Sequence, residues 1–110
     1  AIETLTGYER FLHGEAVAIG MMVAARLSES RGLLAEGSVS RLGALLARLH
    51  LPTDIPGSLN AADIFARLAL DKKTLGGQLR LILLDGIGGA RVDTDSSARQ
   101  ILEAIEGSRA

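Results

Sequence analysis

Apolar positions recur along this chain every three to four residues, broken by glycines and prolines, and the spacing predicts helix after helix. The strongest predicted helix covers 14–31, and Gly32 closes it as a left-handed C-terminal residue. A second covers 38–50, with Ser38 as N-cap and Leu42, Leu45, Leu46 and Leu49 at helical spacing. Pro52 and Pro56 punctuate the loop after it. Asn60 then caps a third helix over 61–70, with Asp63 in the first turn, where the helix dipole favours a carboxylate. The last helix runs over about 96–106 and stops at Gly107. Residues 1–5 read as the end of a further helix, and 6–8 as a break.

One stretch departs from the helical period. Gln78-Leu79-Arg80-Leu81-Ile82-Leu83-Leu84 is short, apolar and bounded by glycines, which predicts a strand. Residues 86–89 turn it back toward Ala90-Arg91-Val92. The expected fold class is therefore mainly α: one compact helical domain over 1–110, with four to five helices and one small antiparallel β-hairpin.

Composition sharpens this picture. The 110 residues suit one domain, and 47% are hydrophobic but only 3% aromatic, so the core is aliphatic. Twelve basic residues against thirteen acidic ones are scattered, giving a net charge of -1. A nucleic-acid surface needs clustered cations, so no nucleic-acid partner is expected. There is no cysteine, hence no disulfide framework and no thiolate chemistry, which fits a reducing compartment; a cytoplasmic location is the expectation. The apolar run over 16–25 falls far short of the ~20 residues a bilayer requires, so no membrane partner is expected either. The chain opens at Ala1 without a methionine or a signal peptide, which suggests a piece of a longer protein.

Two stretches bear on chemistry. His13 sits at or just before the start of the 14–31 helix. The positive end of a helix dipole disfavours imidazolium and favours the neutral ring, the form that binds a metal. Gly14 leaves room for a close approach, and Gly20 and Ala24 let another helix pack tightly on the same face. The bland alternative is a partly buried histidine at a loop. Glu15 supports a metal ligand from behind, supplies a charge to the helix dipole or is plain surface, and surface is the simplest. His50 ends an apolar helix and carries no assigned function. In Asp71-Lys72-Lys73-Thr74-Leu75-Gly76-Gly77, two lysines follow a helix end, and in a flexible loop they reach an anionic carboxylate or phosphate. The bland alternative is a charged turn that suits the helix dipole.

Complete motifs are missing. Gly86-x-Gly88-Gly89 has the wrong spacing for a nucleotide loop, and no nucleophile elbow or His-x-x-x-His pair exists. Read from its residues alone, the chain lacks a complete site.

Leu12-His13-Gly14-Glu15-Ala16-Val17-Ala18-Ile19-Gly20-Met21 resembles the signature of the 3-dehydroquinate synthase family. Asp71-Lys72-Lys73, followed by Gly77-Gln78-Leu79-Arg80 and an aliphatic strand, is similar to a second family segment in the right order. The resemblance covers essentially the whole chain but only the C-terminal portion of the family sequence. It implies that His13 is a zinc ligand, the metal being zinc or another divalent ion. It implies that Lys73, or less so Lys72, binds the anionic substrate. The family's Gly-His-Thr-x-Gly-His-Ala-Ile-Glu motif ends where this chain begins, at Ala1-Ile2-Glu3. The remaining ligands and the NAD-binding domain would thus lie upstream.

The resemblance further implies a lyase of the shikimate pathway to aromatic amino acids. It converts 3-deoxy-D-arabino-heptulosonate 7-phosphate, a small sugar acid phosphate, to 3-dehydroquinate plus phosphate, using NAD and zinc in a homodimeric parent. The isolated chain is expected to bind neither cofactor and to be inactive. Two alternatives stay open. One is the C-terminal domain of another sugar phosphate cyclase or an iron-dependent alcohol dehydrogenase-like protein. The other is a stand-alone helical interaction module in which His13 is incidental. Exposed apolar patches are expected where the missing upstream parts would pack, with self-association of the chain as a consequence.

Overall fold

The computed structural model describes residues 2–5, 12–74, 81–86 and 88–109; the side chains of 3, 4 and 70–74 are also outside this description. The described elements are α1 (Ile2–Leu5), α2 (His13–Ser30), α3 (Ser38–Arg48), α4 (Ala61–Thr74), β1 (Leu81–Leu84), β2 (Ala90–Asp93) and α5 (Ala98–Gly107). The mainly helical class with one antiparallel hairpin is as the sequence predicts. The expected break at 6–8 and the strand positions 78–80 lie outside the described residues.

α2 is the central element, packing against α3, α5, β1 and α1. Its inward face places Ile19 and Leu27 in the main core with Ile55, Ile64, Leu83, Ile101 and Ile105. A second cluster joins Ala18 and Met22 to Leu46 of α3. There a Cβ at Gly43 would stand 3.4 Å from the Met22 methyl, an ordinary packing contact. The core is aliphatic, as the scarcity of aromatic residues requires.

The helix ends have separate physical causes. Gly32, at φ +77°, ends α2 in a Schellman turn. Its N–H donates to the Glu29 carbonyl (3.0 Å), and the Leu33 N–H donates to the Ser28 carbonyl (2.9 Å). Asn60 caps α4 as expected, its side-chain oxygen accepting from the Asp63 N–H at 2.8 Å. Ser97 and Gln100 form a reciprocal capping box at the start of α5.

Several boundaries shift from the expectation by one or two residues, and two differences have a distinct physical cause. Ser38 is the first helical residue of α3, not its cap; the N-cap is Gly37, at φ 92°. The caps come instead from Glu29 on α2, whose two carboxylate oxygens accept from the Gly37 and Val39 N–H groups at 3.3 and 2.9 Å. α4 runs on to Thr74 rather than stopping at Leu70. Asp71, Lys72 and Lys73 are all tolerated in a helix, and the first strong breakers in the sequence are Gly76 and Gly77. The lysine pair therefore begins on a helix, not in a flexible loop.

The hairpin pairs Leu81 with Asp93 and Leu84 with Ala90. It is tied to α2 through Ser28, which accepts from the Leu84 N–H (2.9 Å) and donates to the Ala24 carbonyl (2.6 Å). At the far end of β2, Asp93 is buried and pairs with Arg31 at 2.5 Å. Ser96 donates to the same carboxylate through its N–H (3.0 Å) and its hydroxyl (2.7 Å). Burial pushes the Asp93 carboxyl upward, but the bonds from Ser96 and Arg31 outweigh it and hold the group below the usual carboxylate range. The chain's last described turn is latched as well. Ile55 N–H donates to the Ser108 carbonyl (2.7 Å), and Arg109 donates to the Leu59 and Gly57 carbonyls (2.8 and 3.1 Å).

Candidate functional site at the start of α2

His13 is the first residue of α2, and its side chain is exposed. The helix starts there because Leu12 before it is extended, at φ -67° and ψ 155°. Leu12 is 75% exposed and has no side-chain acceptor to cap the first amides. Glu15 supplies the other half of the corner, its Oε1 accepting from the Leu12 N–H at 2.8 Å. Its carboxylate also lies at the positive end of the helix dipole. Of the three roles open to Glu15, the dipole charge is therefore the one seen, combined with a cap. The sequence signal for it is a glutamate three residues after the residue that precedes the helix, half of a capping box without its serine.

The outer face of α2 continues bare. A Cβ at Gly14 or at Gly20 would meet nothing within 4 Å. Val17 and Met21 are 45% and 42% exposed. The small residues at 14 and 20 are thus not demanded by close packing at those positions, whereas Ala24 and Leu27 further along pack into the core.

Lys72 and Lys73 take their place on the last turn of α4. Their side chains lie outside the described residues. α2 and α4 both pack against α5, which makes α5 their shared neighbour. Among the described residues, no three His, Cys, Asp or Glu side chains gather as a metal site. The donor chemistry of His13 fits zinc as one ligand: an exposed imidazole on the first residue of a helix. A zinc site draws three or four ligands from the protein, so one at His13 would need the others from beyond the described residues.

Neither of two cavities beside α2 substitutes for a site at His13. One of about 310 Å³ lies under α2 and is lined by apolar side chains such as Val17, Leu81, Ile82 and Ile105. Such walls cannot compensate the desolvation of a polar, charged ligand. Another of about 800 Å³ lies between α3 and the hairpin turn, with Arg41 and Arg48 in its lining. His13 lines neither. No helix among the described residues is long and apolar enough to cross a membrane.

Comparison with known proteins supplies the frame for these residues. The chain is 51% identical over 109 residues to the 3-dehydroquinate synthase of Dichelobacter nodosus, covering 99% of this chain and 30% of that protein. It is 45% identical over 106 residues to the 3-dehydroquinate synthase of Haemophilus ducreyi, covering 96% of this chain and 29% of that protein. The chain thus spans just under a third of these curated relatives. In structure it is similar to ValA, the 2-epi-5-epi-valiolone synthase of Streptomyces hygroscopicus subsp. jinggangensis 5008, solved with NAD+ and Zn2+ bound. The TM-score is 0.81 at 33% identity, over 92% of this chain and 28% of that one. Residues 1–74 match the family described as 3-dehydroquinate synthase C-terminal, and to that family this chain belongs.

Proposed function

We propose that this chain is the C-terminal domain of a 3-dehydroquinate synthase, a longer cytoplasmic and dimeric enzyme whose NAD-binding domain lies upstream. Its substrate is 3-deoxy-D-arabino-heptulosonate 7-phosphate, and its products are 3-dehydroquinate and phosphate. The observation that carries this proposal is His13, exposed at the first position of α2 in a chain 45–51% identical to proteins of that name. When bound, zinc and NAD supply polarisation of a ring oxygen and transient oxidation of its carbon.

This chain's own residues act on either side of that chemistry. His13 donates one imidazole nitrogen to the metal. Lys73, or alternatively Lys72, holds an anionic group of the substrate from the last turn of α4. Because one ligand and one or two cations make an incomplete site, residues 1–110 alone form no dehydroquinate.

The test is His13→Ala in a full-length synthase carrying this segment, with zinc content and dehydroquinate formation measured together. Both should be lost. Retention of zinc and activity would refute the role, and product formation by the isolated chain would refute its dependence on the upstream part. A related sugar phosphate cyclase is the second possibility, favoured by the likeness to the valiolone synthase. Identifying the cyclic product formed by the full-length enzyme separates the two.

A further inference from the structure

We propose that Glu15 is a positioning residue for His13: its carboxylate fixes the corner of chain from which the imidazole projects. This inference rests on the proposed role of His13 as a metal ligand.

The start of α2 lacks an ordinary N-cap. A Ser, Thr, Asp or Asn there would lock the corner with its own side-chain oxygen. Leu12 has none, is 75% exposed, and its side chain therefore anchors little. Gly14 adds no side chain, and the space above it is open. Glu15 holds the corner from inside the first turn, accepting the Leu12 N–H at 2.8 Å. A hydrogen bond to a carboxylate is short and strong, and this one spans the peptide unit that carries His13. It fixes the extended backbone of Leu12 against the helical backbone of His13, and so the direction in which the imidazole leaves the helix.

Metal ligands tolerate little error in placement, and groups that orient them are commonly worth 10- to 100-fold in metal affinity. A glutamate that merely decorated the surface would leave that affinity unchanged.

The experiment uses a full-length synthase carrying this segment, with zinc affinity measured by competition against a chromogenic chelator. Glu15→Ala should weaken zinc binding about tenfold. Glu15→Gln keeps an oxygen at the same reach and should stay within about threefold of the parent. The melting temperature of the zinc-free protein should fall by no more than a few degrees in either variant. If Glu15→Ala does not fold, Glu15→Asp replaces it, being one methylene too short to reach the Leu12 N–H. Parent-like zinc affinity in Glu15→Ala, alongside loss in His13→Ala, overturns the positioning role and leaves the ligand role standing. Equal loss in Glu15→Ala and Glu15→Gln overturns it too, because charge would then matter rather than the bond. Parent-like zinc affinity in His13→Ala removes the ligand role itself, and the positioning role with it.

Discussion

The two ends of α2 differ sharply, although one helix of 18 residues joins them. At the C-terminal end four successive structural tasks are filled. Ser28 holds the hairpin, Glu29 caps α3, Arg31 pairs with Asp93, and Gly32 turns the chain. At the N-terminal end Leu12, His13, Gly14, Val17, Gly20 and Met21 are exposed, and Glu15 braces the corner. One end is committed to this domain's own stability. The other is left open to solvent, which is compatible with the metal-ligand role proposed for His13.

Stability measurements on the chain can break this comparison. Asp93→Ala should have the largest effect, about 2–3 kcal/mol by urea unfolding, because it leaves Arg31 and Ser96 without their shared acceptor. A loss below about 0.5 kcal/mol would show that the C-terminal end is not committed as described.

Ser28→Ala should cost about 1–2 kcal/mol, since it orphans the Leu84 N–H. Gly32→Ala should cost on the order of 1 kcal/mol, because an alanine at φ +77° is strained.

The Asp93 pair also predicts a pH dependence. Its folded pKa lies below the unfolded one, so its contribution is complete above the unfolded value of about 3.9. It is lost as pH falls through the folded value. Unfolding followed from pH 6 downward should show a drop below about pH 4 that is missing in Asp93→Asn.

At the open end the sign reverses. Gly20→Ala should stabilise the chain by about 0.5–1 kcal/mol, since helix interiors prefer alanine and a Cβ there meets nothing within 4 Å. A destabilisation at Gly20 would mean that the face is already packed within the domain.

Much of the fold was legible because its signals are local. Gly32, Asn60 and the glycines around 86–89 punctuate the chain where the structure turns. Two features were not legible, for the same reason. Nothing near Ser38 says that Glu29 will reach across from α2 to cap α3, and nothing near Asp93 names Arg31 as its partner. Both depend on a fold already formed. The extension of α4 to Thr74 was missed differently, because Asp71-Lys72-Lys73 suits either a turn or a helix end. For the site, the residues said only that a histidine opens a helix. Its proposed meaning comes from resemblance, because no three metal-ligating side chains gather among the described residues.

The latch at Ser108 and Arg109 has a kinetic consequence. It joins the segment at 55–59 to the end of α5, so α4, the hairpin and α5 form a closed circuit of about fifty residues. Peeling α5 away breaks that circuit and uncovers the faces of α2 and α4 it packs against. Amide protons in α5 and α4 should therefore exchange with solvent as a single cooperative unit, and weakening one guanidinium at Arg109 should speed exchange throughout it.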